Sequence, residues 1–275
     1  MNETANVERE LKKYSAQQAK GKRLIVLLTV LLVVCIGVSA SVGSSSVKID
    51  TVIKALASCF TDKIEISNMQ RSIVLSVRLP RVFCAVLAGA SLSVAGLIMQ
   101  GIFQNPLVSP YTLGVSNGAS FGACLAIIMS AKLSFLGFGY YLTPVFAFAF
   151  SMLTMLMVYT ISKLTNHATR TLILSGVAIG YLFSALVSAL KYISDVKMLP
   201  ELVFWSMGSL SGLQWDVVLL LLAAFALCFI LSLLNAWNMN VMAMGYEECK
   251  ALGVDYKKIQ IMSFIVTTIL TSMAV

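Results

Sequence analysis

Residues 82–131 read VFCAVLAGASLSVAGLIMQGIFQNPLVSPYTLGVSNGASFGACLAIIMSA, 50 consecutive positions without an Asp, Glu, Lys or Arg. An α-helix crosses the hydrocarbon core of a bilayer with about 20 apolar residues. The stretch therefore admits two crossings with a connection between them. The connection is visible as Gln104-Asn105-Pro106-Leu107-Val108-Ser109-Pro110, with two prolines and an Asn-Pro step. Proline lacks a backbone N–H and disfavours helix at the residue before it, so the chain turns here. The reading is a membrane hairpin reversing at Asn105-Pro106.

Further charge-free runs lie on both sides, at 24–47, 133–162, 171–190, 217–246 and 259–275. Hydrophobic residues make up 59% of the 275-residue chain and charged residues 12%, with a mean hydropathy of +0.89. A soluble domain carries about 25% charged residues. A soluble enzyme, a nucleic-acid-binding module and a disordered tail are excluded, and the net charge of +8 is read as basic loops beside anionic headgroups. The fold class is an all-α polytopic membrane protein. Its spans are expected at about 24–42, 81–100, 111–130, up to 161, 171–190, 217–234 and from 259 onward, about seven in all. The last is still running at Val275, so the chain reads as the N-terminal portion of something longer.

Residues 1–23 form a polar arm carrying Arg9, Lys12, Lys13, Lys20, Lys22 and Arg23. The run after it is read as an uncleaved first helix, because the arm is long for a secretory signal. The positive-inside rule puts the arm in the cytoplasm and makes 24–275 the transmembrane domain. Lys and Arg then number 11 on the inner side and nine on the outer. The weakly amphipathic Val47–Ser58 falls outside, and polar 235–258 inside. Phe135, Phe138, Tyr140 and Tyr141 after Lys132, and Trp205 and Trp215, are expected at interfacial depth.

The six cysteines are scattered, without C-x-x-C spacing, and read as small hydrophobes. His167, the single histidine, falls in a short inner loop, and no carboxylate pair or metal-ligand cluster is visible. Small residues recur every fourth position: Gly114, Gly118, Gly122 and Ala126; Gly176, Gly180, Ser184 and Ser188; Ala85, Gly89 and Ser93. Such stripes let helices approach closely in lipid, and they either pack helices only or also line a path. The spans hold no ionisable group except Cys and Tyr, so coupling to an ion gradient has no chemical handle. No G-x-x-x-x-G-K-[ST] loop is present either. Uphill transport by this chain would need energy from another one.

Residues 78–123, RLPRVFCAVLAGASLSVAGLIMQGIFQNPLVSPYTLGVSNGASFGA, closely resemble permease subunits of bacterial ABC importers for iron–siderophores, haem and vitamin B12. Leu174-Ser175-Gly176-Val177-Ala178, Phe204-Trp205-Ser206-Met207-Gly208-Ser209-Leu210 and Ala243 through Gly253 resemble further blocks of that family, in order. The resemblance implies a type II ABC importer permease-like helix bundle of ten helices, seven of them within this chain. It implies a homodimer or a pair with a paralogous permease in the bacterial inner membrane. The partners would be two cytoplasmic ATPase subunits that use ATP and Mg, and an extracytoplasmic substrate-binding protein. The chain itself would bind no cofactor or metal and catalyse no reaction. A non-transporting scaffolding subunit is the alternative.

Candidate site residues follow in three groups. Asn105 is expected to cap freed backbone groups, and Asn117 to hydrogen-bond to a neighbouring helix. With Pro106, Gly114, Gly118, Gly176, Gly180 and Ser184 they are assigned to the translocation pathway or its packing. Within a coupling segment at 240–256, Gly245 and Gly253 bracket a stretch too short to be stable alone and too polar to cross. A short helix with Tyr246, Glu247, Glu248 and Leu252 is expected there, docking on the ATPase. Arg78 and Arg81 flank Pro80 at the start of the second span. The resemblance implies that they hold acidic residues of the binding protein.

Overall fold

The computed structural model describes residues 2–43, 48–58, 61, 66–132, 139–164 and 169–275. Every regular element among them is helical. The chain forms two compact units, Met1–Val82 and Phe83–Val275.

In the first unit, the basic arm and first span are one helix, α1 (Asn2–Ser41). Nothing between residues 13 and 34 breaks it, and Leu24 to Val34 are exposed along it, as lipid-facing side chains are. The amphipathic stretch becomes α2 (Ile49–Ala57), which buries Val52 and Ala55. Then follow α3 (Asn68–Ser72), a π-helical segment Ile73–Arg78, and α4 (Leu79–Phe103). The second span thus begins well before Arg81, in a continuous helical run over Asn68–Phe103. Ala40, Val52, Ala55, Val74 and Leu79 form this unit's core.

The second unit holds the rest of α4, a 3-10 turn (Pro110–Leu113), α5 (Val115–Lys132), α6 (Gly139–Leu164) and α7 (Thr169–Ile193). It continues with α8 (Leu199–Met207), α9 (Trp215–Leu234), α10 (Ala236–Met244), α11 (Tyr246–Ala251) and α12 (Tyr256–Ala274). Five helices among the described residues are long and apolar enough to cross a membrane: within α1, 68–103, α6, α7 and α9. The expected third and seventh spans, α5 and α12, also form as helices, and α5 is apolar over Val115–Ser130. In α12 the polar side chains are buried. Gln260, Ser263, Thr267, Thr268 and Thr271 of α12 are at most 1% exposed. Thr267, Thr268 and Thr271 hydroxyls donate to carbonyls one turn back on their own helix. Those three hydroxyls are satisfied within the helix, whereas the Ser263 and Ser272 hydroxyls of α12 are buried without a hydrogen-bond partner.

Two helices were not foreseen, α8 and α10. Trp205 of α8 packs against the clusters that hold Ala119, Ala123 and Cys124 of α5. Trp215 meets Phe83, with ring centroids 5.6 Å apart. Cys84, Cys124, Cys228 and Cys249 are buried without disulfides. Asp255 caps α12, accepting from the Lys258 N–H at 3.1 Å. Asp255→Ala should cost about 1 kcal/mol of stability, measured as a lower denaturation midpoint in detergent.

Candidate functional site

The centre of the second unit is a seam where α5 touches α6 on one face and α7 on the other. Gly114 ends the 3-10 turn in the left-handed region, φ 70°, where a side chain would be strained. A Cβ on it would stand 2.7 Å from Gly180 Cα, and one on Gly176 would stand 2.7 Å from Leu113 Cα. Both glycines of α7 are therefore required for the approach of the turn. On the other face, a Cβ on Gly118 would strike Thr154 and stand 2.9 Å from the Phe150 carbonyl oxygen. A Cβ on Gly122 would strike the Phe146 carbonyl oxygen. The glycine ladder of α5 thus receives a ridge of α6 with the same four-residue repeat, Phe146, Phe150 and Thr154, as in ridges-into-grooves packing. Phe121, Phe150 and Phe183 seal the three-helix contact, with centroids 5.2 Å (Phe121–Phe150) and 5.5 Å (Phe121–Phe183) apart. Ser184 lies beyond the seam and is exposed.

Asn117 makes the expected bond between helices. Its Nδ2 donates to the Gly180 carbonyl oxygen at 3.0 Å. That carbonyl belongs to the same glycine that admits Gly114, so one residue serves both contacts. Asn117→Leu should lower stability by about 1–2 kcal/mol, read as an earlier thermal unfolding in detergent, while membrane insertion is retained.

The hairpin reverses as expected, and Asn105 caps backbone there: its Oδ1 accepts the Leu107 N–H at 3.0 Å. Gln100 Nε2 donates to the Pro106 carbonyl at 3.1 Å. The end of α4 is a Schellman cap, in which Asn105 N–H donates to Gln100 O (3.2 Å) and Gln104 N–H to Gly101 O (3.3 Å). Its left-handed position is held by Gln104, φ 48°, the one described non-glycine residue with positive φ.

This turn stands beside the expected coupling segment. A Cβ on Gly101 would lie 3.7 Å from Ala243 Cβ, and one on Gly245 would lie 3.6 Å from Gln104 Nε2. The short helix appears as α11, between Gly245 (φ 142°) and Gly253 (φ 71°). Gly245 sits at φ 142°, a backbone conformation in which a side chain would be strained. Gly253 sits in a second Schellman cap, where Val254 N–H donates to Cys249 O at 2.8 Å. Cys249 is buried beneath α11, and burial, with Glu248 beside it, pushes its thiol pKa up. Tyr246 stacks edge-on against Tyr256, centroids 5.6 Å apart. Tyr246 (62%), Leu252 (56%) and Met244 (65%) stand exposed, with Glu247, Glu248 and Lys250 also at the surface.

In the first unit, Arg78 is not an open rim cation. It is 7% exposed, and its Nη1 donates to the carbonyls of Ala40 (2.9 Å) and Ser41, the last of α1. A guanidinium at a helix C-terminus satisfies orphan carbonyls and complements the macrodipole. Gly43 permits it, since a Cβ there would stand 2.9 Å from Arg78 Nη2. The π segment widens the helical turn just before α4 and so resets which way Arg78 faces, which no apolar spacing reports. Arg81, three residues on, is exposed.

Among the described residues no group of three His, Cys, Asp or Glu side chains is placed to hold a metal ion. His167, Asn166, Cys59, Phe135 and Phe138 lie outside the described residues, as do the side chains of Tyr140 and Tyr141. Sequence reasoning missed the α6 ridge and Gln104. The ridge had a signal, since 146, 150 and 154 repeat the four-residue period of the α5 glycines. Gln104 had none.

A multi-helix membrane protein with a glycine seam at its centre, and with its first hairpin turn set beside a glycine-bracketed surface helix, has the build of a transport permease. Residues 31–275 match the FecCD transport family, and the chain belongs to that family. It is 37% identical to the molybdate import system permease protein MolB of Haemophilus influenzae, over 84% of this chain and 67% of the relative. Against the hemin transport system permease protein HmuU of Yersinia pestis the identity is 35%, over 90% and 71%. The cobalamin import system permease protein BtuC of Halobacterium salinarum is 36% identical, over 74% of this chain and 53% of its own length. A solved ABC transporter assigned to the metal-chelate type, in an inward-facing conformation, superposes with a TM-score of 0.74 at 33% identity. That match covers 92% of this chain and 75% of the solved one. The chain thus spans about two thirds of the length of its first relatives.

Proposed function

We propose that the chain is the membrane-spanning subunit of an ATP-driven importer whose energy comes from separate cytoplasmic ATPase subunits using ATP and Mg. The observation that carries this reading is the surface around α11. Two exposed apolar side chains, Tyr246 and Leu252, sit with Glu247 and Lys250 between two positive-φ glycines, and exposed Met244 at the end of α10 precedes the first of them. Exposed apolar groups ringed by charge fit a protein partner. A six-residue helix draws its stability from what it packs against, so a docked ATPase would complete it. The charge-free runs offer no obvious handle for coupling to an ion gradient, which agrees with an external motor.

On this reading α10, α11 and the N-terminal arm are cytoplasmic, and the α5–α6–α7 seam is the packing that holds the translocation pathway. A second permease, identical or paralogous, completes the path. A substrate-binding protein docks on the extracytoplasmic side, with the exposed Arg81 as its proposed contact, while Arg78 holds the end of α1. The cargo is an iron–siderophore, haem or cobalamin, or an oxyanion of the kind named for the molybdate relative.

The test is co-purification. The chain in mild detergent should retain an ATPase subunit and change its hydrolysis rate when binding protein and ligand are added. A chain that inserts normally, retains no ATPase and leaves hydrolysis unchanged would be a scaffold instead. A second measurement addresses the dock: rim charge pairs set on-rate and its salt dependence. Arg81→Glu should slow binding-protein association roughly tenfold or more at low salt, with the difference shrinking as ionic strength rises. Equal association rates for the two proteins would remove Arg81 from the interface.

A further inference from the structure

We infer that α2 is an interfacial anchor, a helix lying along the membrane surface at the C-terminal end of α1 with Ile49, Ile53 and Leu56 set among lipid headgroups and upper acyl chains. The apolar arc of α2 is wider than the protein covers. One part of it, Val52 and Ala55, is buried in a core shared with Ala40 of α1, Val74 and Leu79. The adjoining stripe, Ile49, Ile53 and Leu56 at i, i+4 and i+7, is 58%, 60% and 43% exposed. Asp50 and Lys54 stand on another side and pair with each other at 2.8 Å. That side opens on a groove lined in part by Thr51, Lys54, Ser67 and Gln70, groups suited to water and headgroups. A nine-residue helix is not stable alone, so the core contact holds α2 in place and fixes its stripe outward. A short helix with an uncovered apolar stripe beside a charged side is built for a lipid boundary.

Depth decides what covers the stripe. After Arg23, the apolar part of α1 runs from Leu24 to the helix end at Ser41, 18 residues. At about 1.5 Å per residue it is about 27 Å long, close to the roughly 30 Å of hydrocarbon in a bilayer. With Arg23 at one boundary, the last turn of α1 therefore stands at the other. Arg78 marks that level independently, since its guanidinium donates to the Ala40 and Ser41 carbonyls, and a cation is accommodated where acyl chains give way to headgroups. α2 is tied to the same turn through Ala40, so it lies at the interface and not out in solution. Val38 and Val42, at the end of α1, are exposed at this level too. Lys48 and Lys54, both exposed, have stems long enough to follow the apolar surface and carry their ammonium groups to lipid phosphates. This placement depends on α1 crossing the bilayer and is independent of any ATPase contact.

The experiment uses the full chain in liposomes of phosphatidylethanolamine and phosphatidylglycerol. Its first arm needs no variant: part of the lipid carries a photoreactive diazirine high on the acyl chain. Irradiation should attach lipid to Ile49, Ile53 or Leu56 and spare Asp50 and Thr51, read by mass spectrometry of the peptides. Label on Leu24 to Val34 of α1 reports insertion, and its absence would refute the crossing and the anchor together. The second arm places a fluorophore on Ile53→Cys or on Asp50→Cys, in a background lacking the native cysteines. Lipids brominated near the headgroup should quench the probe at 53 at least about threefold more than the probe at 50, and aqueous iodide should reverse that order. Wild-type lipid label confined to α1, or a probe at 53 as open to iodide as the one at 50, would overturn the inference. A position 53 shielded from both quenchers would overturn it as well, because a second copy or another protein would then cover the stripe. The wild-type arm stands even where a cysteine variant fails to fold.

Discussion

Gly122→Leu is expected to prevent α5 from seating on α6, leaving a protein that inserts in the membrane but fails to elute as a monodisperse species from detergent. The smaller change, Gly122→Ala, should destabilise by about 1–3 kcal/mol, the usual cost of overpacking a tight contact. The obstacle is backbone, the Phe146 carbonyl, and it cannot rotate aside as a side chain would. Gly96 supplies the control, because it is helical and a Cβ there meets nothing within 4 Å. Gly96→Ala should be neutral or stabilising by up to about 1 kcal/mol, through lost freedom of the unfolded chain. Thermal unfolding of the three proteins side by side decides the matter. Equal melting of Gly122→Ala and Gly96→Ala would mean that the α5–α6 seam is not the close backbone contact described.

If an ATPase docks on α11 as proposed, Leu252→Asp should leave the fold intact and abolish that docking. Leu252 is 56% exposed and outside the core clusters, so melting should not change. If it fills a pocket on an ATPase, the substitution removes an apolar anchor and buries a carboxylate. Together these should cost at least about 3 kcal/mol of binding, more than 100-fold in affinity. Both ATPase retention and stimulated hydrolysis should fall together. Lys250→Ala, on the same helix, exposed and charged, should change affinity only modestly, because rim groups contribute little. Normal retention by Leu252→Asp would move the partner's footprint off α11.

Features that follow from hydropathy and local chain chemistry could be read before any coordinates. The reversal at Asn105-Pro106, the four-residue glycine ladders and the helix bracketed by Gly245 and Gly253 all formed where expected, as did the Asn117 bond between helices. Each is fixed within a few residues of itself or by a period that geometry imposes. Other features depend on neighbours. α12 carries polar side chains that the fold buries, and hydropathy alone does not separate a buried polar helix from a surface one. Arg78 was expected at an open rim because Pro80 starts a helix turn. The π segment before it brings its guanidinium to the end of α1, a contact 38 positions away in sequence. Gln104 could not be anticipated, since glutamine carries no signal for a left-handed backbone. α8 and α10 lie in stretches whose composition suited loops, and they are helical because Leu202 of α8 and Val241 and Met242 of α10 have cores to enter.

The central claim is that this FecCD-family chain moves its cargo on the power of ATP hydrolysed elsewhere. The most direct measurement is uptake into sealed proteoliposomes containing the chain with its ATPase, loaded with ATP and Mg, and supplied outside with binding protein and a panel of ferric hydroxamate, haem, cobalamin and molybdate. The account predicts accumulation of one class of cargo that requires ATP and the ATPase and is indifferent to protonophore and sodium ionophore. Accumulation that proceeds without the ATPase and collapses with an ion gradient would contradict it.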